Sequence, residues 1–253
     1  MIERTVLHRM PRFFVSKDSI DAVNGTICIE GNDAHHISRS LRMAEGETVT
    51  VCDGEGSDYL CRLDTVRDEY SILSLLEKKV CPSEPPYRIT VFQALVKGDR
   101  MDTVIQKSVE YGASSIVPFE SSRCIMKRST EDQKEQRRNR IAEEAAKQCG
   151  RGIIPYVECP VAFDTMLERA SGFGLPLFCY ESERRHTIKD VIAQKGLPDS
   201  VSIVVGPEGG FSAEEAEKAE KAGLISVSLG QRILRTESAA PFVLACLAFG
   251  YEL

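Results

Sequence analysis

The stretch IVVGPEGGFSAEEAEKAEKAG, residues 203–223, leads from an apolar segment through a glycine-rich loop directly into a helical pattern. The β-branched run at 203–205 is typical of a buried strand in a parallel sheet. Ser212 and Glu215 have the spacing of a capping box, and Gly223 is a natural end for the helix. The stretch therefore predicts a strand–loop–helix unit of an α/β fold.

The loop of this unit has features of a ligand-binding turn. Gly206, Gly209 and Gly210 would let a ligand approach the backbone closely, and Pro207 stiffens the turn. The loop lacks the lysine of a P-loop and the G-x-G-x-x-G spacing of a dinucleotide fingerprint. Glu208 would also repel a polyphosphate. A tight turn that binds no ligand explains the loop equally well.

Composition restricts the class of protein. The chain has 253 residues, 42% of them hydrophobic and 28% charged, which is typical of a globular protein with a sizeable core. No apolar run reaches membrane-spanning length, and the first residues lack a signal-peptide core. The nine cysteines are scattered without a C-x-x-C pair, and His35 and His36 have no third ligand at suitable spacing. We therefore expect a cytoplasmic protein with reduced thiols that uses neither a membrane nor a metal.

The net charge of −6 is unevenly distributed. Residues 123–151 carry nine Lys and Arg against five acids, whereas residues 158–223 carry seven against twelve. A basic face on an acidic body can bind RNA through local charge. A solvated helix of mixed charge explains the segment QKEQRRNRIAEE at least as well.

The chain divides into two regions with different patterns. Residues 1–75 contain short strands (RFFV, GTICIE, ETVTVCD, SDYLCRLDTV and YSILSLLEK) and one helical piece, DAHHISRSLRM, which predicts a small β-barrel or open sheet. A proline-rich linker is predicted at 76–87. Strands and helices then alternate over 88–253, as in an α/β domain on a parallel sheet. The last helix, ESAAPFVLACLAFGYEL, is apolar nearly all round, so we expect it to be buried on several sides, including by a second subunit.

Three predicted strand ends in the second region carry unusual residues: FCYESE at 178–183, VVGPEGGF at 204–211 and SLGQRILRTESAA at 228–240. Ligands of open α/β sheets bind beyond the carboxyl ends of the strands, so these loops could form one pocket for an adenosine-bearing molecule. Arg235 and Glu237 would add charge there, or would merely pair with each other or cap the last helix. Apolar walls and backbone amides would come from Leu229, Gly230, Ile233 and Leu234.

The strings VGPEGGFS and LGQRILRTESAA together resemble the C-terminal signature of the RsmE family, the ribosomal RNA small-subunit methyltransferases E of the SPOUT superfamily. The resemblance extends over nearly the whole chain, through PRFF, HHISRSLRM, VKGDRMDTVIQKSVEYGASSIVPFESSRC and EEAAKQCGRGIIP, in this order. Ser238 departs from the pattern, since the family more often has threonine there.

This resemblance implies a PUA-like RNA-binding β-barrel followed by a SPOUT α/β domain with a C-terminal deep trefoil knot, a rare exception to unknotted topology. It implies a homodimer that binds S-adenosylmethionine in the knot loops and methylates N3 of one uridine in 16S rRNA, near the decoding site, with 16S rRNA or the assembled small subunit as partner. The cofactor-binding residues that it implies are Tyr180, Glu181, Gly206, Pro207, Glu208, Gly209, Gly210, Leu229, Gly230, Ile233 and Leu234.

The chemistry of such a transfer suggests roles for individual side chains. Arg235 could stabilise the anion that develops on the uracil carbonyl oxygens. Glu208 and Glu237 could accept the N3 proton or fix the sulfonium, and a helix cap is the alternative for Glu237. Another RNA as substrate, or a non-catalytic RNA-binding assembly factor, remains an alternative function. The candidate contacts to RNA phosphates, some of which must be ordinary surface charges, are Arg12, Arg39, Arg42, Lys97, Arg100, Lys107, Arg123, Lys127, Arg128 and Arg151.

Overall fold

A computed structural model of the protein describes residues 10–127 and 132–253. The chain forms two compact units. The N-terminal unit contains the described residues up to Glu84 together with Gly150–Ile153, and the C-terminal unit contains the remainder. Arg128, one of the predicted RNA contacts, lies outside the described residues.

The N-terminal unit is built on a six-stranded sheet in the order β1-β4-β5-β6-β3-β2. All neighbours are antiparallel except β1 and β4. Five strands lie where the sequence predicts them, and the sixth, β2, has only two residues and so shows no alternation. The strands are β1 (Arg12–Phe14), β2 (Ile20–Asp21), β3 (Thr26–Glu30), β4 (Thr48–Cys52), β5 (Ser57–Val66) and β6 (Tyr70–Val80).

One short helical segment covers the core of this sheet. Helix α1 (Gly31–His35) continues as a π-helical turn at His36–Ser40, and Ala34 and Ile37 are its buried residues. The ring of His36 meets Phe13 edge-on with centroids 6.2 Å apart. Among the described residues no cluster of His, Cys, Asp or Glu could hold a metal ion. The segment therefore packs the core with its apolar side chains.

Arg12 and Arg151 are not surface cations. Both Arg12 Nη atoms donate to the Asp58 carboxylate, at 2.7 and 2.9 Å, and the Arg12 side chain is 16% exposed. Arg151 is buried and donates through Nη2 to Glu84 at 2.6 Å. Their assignment to RNA phosphates is therefore wrong, because each guanidinium is withdrawn from the surface and bound to a carboxylate.

Glu84 anchors a distant segment of the chain in the N-terminal unit. Besides Arg151, its carboxylate accepts hydrogen bonds from the backbone N–H groups of Gly152 at 2.8 Å and Ile153 at 3.0 Å. The chain thus leaves the C-terminal unit after Cys149, contributes four residues to the N-terminal unit and returns. The predicted linker at 76–87 also needs correction, because β6 extends to Val80.

The C-terminal unit is built on a parallel sheet in the order β10-β8-β7-β12-β11-β13, with β9 also paired to β8. This confirms the predicted α/β architecture. Its strands are β7 (Arg88–Ala94), β8 (Ser115–Glu120), β9 (Tyr156–Val157), β10 (Val161–Ala162), β11 (Leu175–Cys179), β12 (Ser200–Val205) and β13 (Ile225–Val227). Its helices are α2 (Arg100–Glu110), α3 (Asp132–Cys149), α4 (Phe163–Ser171), α5 (Ile188–Gln194), α6 (Ala213–Lys221) and α7 (Thr236–Tyr251).

The helix signals of the sequence are matched closely. The predicted capping box of Ser212 and Glu215 opens α6, and both of its hydrogen bonds are present. Helix α7 packs against α2, α5 and β12, so its predicted burial on several sides is confirmed within the chain. Its last turns still leave Phe249 78% exposed. Within residues 10–127 and 132–253, no helix combines the length and apolar content needed to cross a membrane.

We expect Glu84→Ala to lower the free energy of unfolding by about 3 kcal/mol or more, because it removes a carboxylate that binds the buried Arg151 guanidinium and the backbone N–H groups of Gly152 and Ile153. The matched control is Glu144→Ala, which removes an exposed helical pair with Arg140 and should cost less than about 0.5 kcal/mol. Urea titration followed by circular dichroism measures both. Equal, small losses in the two variants would contradict the anchoring role of Glu84.

Candidate functional site

The three loops with unusual residues meet at one edge of the C-terminal sheet. β12, β11 and β13 are parallel neighbours, so the loops that follow them begin side by side. Tyr180 N donates to Val227 O at 3.1 Å, and Ser228 N donates to His186 O at 2.8 Å. The loop after β11 is thereby fixed to the loop after β13.

The glycine loop is shaped by close packing. The Phe211 ring stacks on Phe178 with centroids 4.2 Å apart and lies so near Gly206 that a Cβ there would be 3.1 Å from it. Gly210 has φ +63°, and a Cβ on it would overlap the Glu181 carboxylate. The Cβ position of Gly206 is therefore tightly packed, and the positive φ of Gly210 favours glycine there.

The start of α7 is tied to this loop by buried hydrogen bonds. Thr236 Oγ1 donates to Gly206 O at 2.6 Å and accepts from Gln93 Nε2 at 2.9 Å. Sequence reasoning missed both side chains. The available signals were the threonine inside LRTES and a glutamine flanked by apolar residues in β7, since a buried polar group needs a partner.

Glu208 joins the glycine loop to the loop before α2. Its Oε1 accepts from Lys97 N at 3.2 Å and from Arg100 Nη1 at 2.5 Å. Burial raises the pKa of Glu208, but the backbone N–H groups of Glu208 and Lys97 and the Arg100 guanidinium outweigh it, so the pKa lies below its usual value. A carboxylate stabilised in this way is a poor proton acceptor, and its geometry suits positioning better.

Arg235 and Glu237 lie at the start of α7. The Arg235 side chain is 83% exposed and its Nη1 is 3.9 Å from Glu237 Oε1. Glu237 Oε2 is buried and has no hydrogen-bond partner in the described part of the chain, and no side-chain cap bond is formed at this helix start. The arrangement fits a loose ion pair between the two side chains.

The other predicted cofactor residues differ in exposure. Tyr180, Leu229 and Leu234 are half-buried, and Gly230 has φ +106°. Ile233, predicted as an apolar wall, is 89% exposed and so encloses nothing within this chain. Pro207 O accepts from Gly210 N at 2.9 Å and closes the turn. Gly209 O accepts from Arg123 Nη1 at 2.9 Å.

Glu183, which sequence reasoning also missed, organises the loop after β11. Its buried carboxylate accepts hydrogen bonds from the backbone N–H groups of Arg184 at 2.7 Å, of Arg185 and of His186 at 3.3 Å. Burial raises the pKa of Glu183, yet these bonds and the Arg185 guanidinium lower it to about 2. The available signal was the glutamate in ESERRH, whose carboxylate can accept hydrogen bonds from the backbone N–H groups of the residues that follow it.

Many of the predicted RNA cations are partly neutralised. In the C-terminal unit, Lys107 pairs with Glu110 at 2.6 Å and Lys127 with Glu120 at 2.9 Å, while Lys97 is exposed. In the N-terminal unit, Arg39 pairs with Asp68 at 2.5 Å, and Arg42 is exposed with φ +52°. Such pairs are typical of ordinary surface charges, which were expected for some members of this set.

Comparison with known proteins decides the family. An RNA methyltransferase domain model matches residues 83–248, and an RNA methyltransferase PUA domain model matches residues 29–69. The ribosomal RNA small subunit methyltransferase E of Bacillus subtilis is 31% identical over 96% of this chain and 98% of its own length. The chain belongs to the ribosomal RNA small subunit methyltransferase E family. The resemblance drawn from the sequence motifs is confirmed, as is the PUA-like N-terminal domain.

Two solved structures of similar chains agree with this family. The crystal structure of such an enzyme from Neisseria gonorrhoeae, bound to S-adenosylmethionine, has a TM-score of 0.82 and 30% identity, with 95% of this chain and 97% of that chain covered. A methyltransferase from Legionella pneumophila in complex with the same cofactor has a TM-score of 0.79 and 29% identity, with 95% and 98% covered. S-adenosylmethionine, the predicted cofactor, is thus the ligand of both structures.

We expect the stabilising effect of Glu183 to depend on pH. Its folded pKa of about 2 lies below the ordinary value of 4.5, so the stabilisation is complete above pH 4.5 and is lost as pH falls towards 2. Glu183→Gln should therefore destabilise the protein at pH 7, and the gap to the unmutated protein should narrow below pH 4.5. Urea titrations at several pH values measure this. The exposed Glu168→Gln is the control, and a gap independent of pH would refute the assignment.

Proposed function

We propose that this protein transfers a methyl group from S-adenosylmethionine to N3 of a uridine in 16S rRNA. The observation that carries the proposal is the meeting of the glycine loop with the loops after β11 and β13, beside the unpartnered Glu237 oxygen. Membership of the ribosomal RNA small subunit methyltransferase E family supports the reaction class.

The residues of the site fit the cofactor. Gly206 and Gly210 leave no side chain between a ligand and the loop backbone, and half-buried Leu229 and Leu234 offer apolar contact to an adenosine. Glu237 Oε2 is a free acceptor for a hydroxyl or ammonium group. When bound, S-adenosylmethionine supplies the electrophilic methyl group. The protein then has to orient the acceptor in line and assist the loss of the N3 proton.

Two side chains at the start of α7 are suited to the uracil. Arg235 presents an exposed guanidinium that could stabilise negative charge on the carbonyl oxygens as N3 is deprotonated. Glu237 is the better proton acceptor of the two predicted carboxylates, because Glu208 is already held by Lys97 N and Arg100. We assign Arg235 and Glu237 to catalysis and Glu208 to positioning.

Lys and Arg side chains would bind the RNA through its phosphates, and these contacts would position the RNA without recognising its base sequence. The target base would have to leave its stack to reach the methyl donor. The PUA-like match of the N-terminal unit supports a contribution from that unit. The proposed phosphate contacts that remain are Arg39, Arg42, Lys97, Arg100, Lys107, Arg123, Lys127 and Arg128, the last of which lies outside the described residues.

We further propose the homodimer, the deep trefoil knot and a cytoplasmic location, where the small subunit of the ribosome is assembled. The exposed Phe249 of α7 and the exposed Ile233 support a second subunit that covers both apolar side chains. The position of α7 supports the knot, since the chain passes from the edge strand β13 back to Gln93 and Gly206.

The proposed reaction predicts a specific change in 16S rRNA. Methylation at N3 removes the Watson–Crick donor of uracil, so reverse transcriptase should stop at one uridine in wild-type rRNA and read through in a deletion strain. Restoring the gene should restore the stop. Read-through in both strains, or labelled methyl transfer to large-subunit rRNA or tRNA instead, would contradict the proposal.

Gly210→Ala should weaken S-adenosylmethionine binding at least about tenfold, because the new Cβ displaces the carboxylate of Glu181, itself a predicted cofactor residue, from its place beside the loop. Gly223→Ala is the matched control. It has a comparable positive φ of +91° but no atom within 4 Å of the added Cβ, so it should keep the affinity within about twofold. Calorimetric titration measures both. Unchanged affinity of the Gly210 variant would remove this loop from the cofactor site.

A further inference from the structure

A second cavity lies at the amino edge of the C-terminal sheet, opposite the glycine loop. It has a volume of about 260 Å³ and opens between the first residues of β7, β8 and β12 and the end of α4. All its lining residues belong to the C-terminal unit. Its polar side chains are Arg88, Thr90, Ser114, Ser115, Arg169 and Ser200.

The hydroxyl groups of this cavity have protons to donate. Ser114 Oγ accepts from Ile89 N at 3.1 Å, and Ser200 Oγ accepts from Gly174 N at 3.1 Å, so both keep their own O–H group. Thr90 and Ser115 share one hydrogen bond of 2.8 Å, which uses only one of their two protons. Within the described residues, no acceptor is recorded for the three remaining O–H groups.

The two arginines differ in their partners. Arg169 is held by both oxygens of Glu158, at 2.6 and 2.8 Å, and its charge is compensated. Arg88 is exposed, and within residues 10–127 and 132–253 no carboxylate is recorded at ion-pair distance from it. The cavity therefore combines one uncompensated guanidinium with three free hydroxyl donors, and no carboxylate lines it.

We propose that this cavity binds a phosphate group. Its free polar groups are donors, and phosphate is a ligand rich in acceptors that arginine recognises in bidentate geometry. The volume lies below the roughly 300–1,000 Å³ of pockets for drug-sized ligands, which favours a single oxyanion over a whole nucleotide. A metal cation is disfavoured, because no carboxylate faces the space.

The phosphate site is distinct from the proposed methyl-transfer site. The residues around it begin the strands, whereas the glycine loop and the loops beside it follow the strand ends. The phosphate could come from solution or from an RNA backbone, because the same donors serve both. In either case, occupancy should not require the cofactor.

The test titrates inorganic phosphate into the full-length ¹⁵N-labelled protein at constant ionic strength, with chloride as the reference anion. We expect phosphate-specific shifts of the amides of Ser114 and Gly174. Arg88→Gln should weaken this binding at least about tenfold, and Arg88→Lys should restore part of it. Arg140→Gln, on an exposed face of α3, is the matched control and should leave it unchanged.

A second measurement separates the two sources of phosphate. If an RNA phosphate occupies the site, Arg88→Gln should reduce the salt dependence of single-stranded RNA binding by about 0.7 in slope, the contribution of one phosphate contact. An unchanged slope would assign the site to free phosphate. Shifts that are identical for phosphate and chloride, or that persist fully in Arg88→Gln, would overturn the proposal.

Discussion

The hydrogen bond from Thr236 to the carbonyl of Gly206 is the contact on which the architecture of the candidate site depends. It joins the start of the last helix to the glycine loop, and Gln93 extends it to the end of β7. All of these groups are buried, so water cannot replace the bonds, and each is stronger than at the surface. The bonds thus fix β7, the glycine loop and the start of α7 relative to one another, although these segments are far apart in sequence. The positions of the loops at this edge follow from that arrangement.

The neighbouring glycines are required for different physical reasons. At Gly206 a side chain would crowd the Phe211 ring, which packs against this residue and holds the loop on the aromatic core. At Gly210 both the positive φ of +63° and the neighbouring Glu181 carboxylate favour glycine. The glycine-rich appearance of the loop therefore reflects packing beneath it and beside it.

Local patterns predicted what depends on local physics. The buried face of α2, with Met101, Val104 and Ile105, follows directly from its 3.6-residue period. The pairing of Arg151 with Glu84 could not be predicted, since the two residues are 67 positions apart. The sequence also does not distinguish an arginine that becomes buried from one that stays exposed. For the same reason the sequence did not show that residues 150–153 belong to the N-terminal unit.

The two carboxylates at the glycine-loop edge, Glu208 and Glu237, differ in how completely they are hydrogen-bonded. Glu208 is engaged by a guanidinium and a backbone amide, which stabilise its charge and make protonation costly. Glu237 keeps a buried oxygen that has no partner among the residues the structure describes, a situation that costs on the order of 1–3 kcal/mol for a polar group in a protein interior. Such a cost is retained where a ligand removes it. In the proposed reaction, Glu237 would therefore face the reacting molecules, and Glu208 would hold the loop behind it.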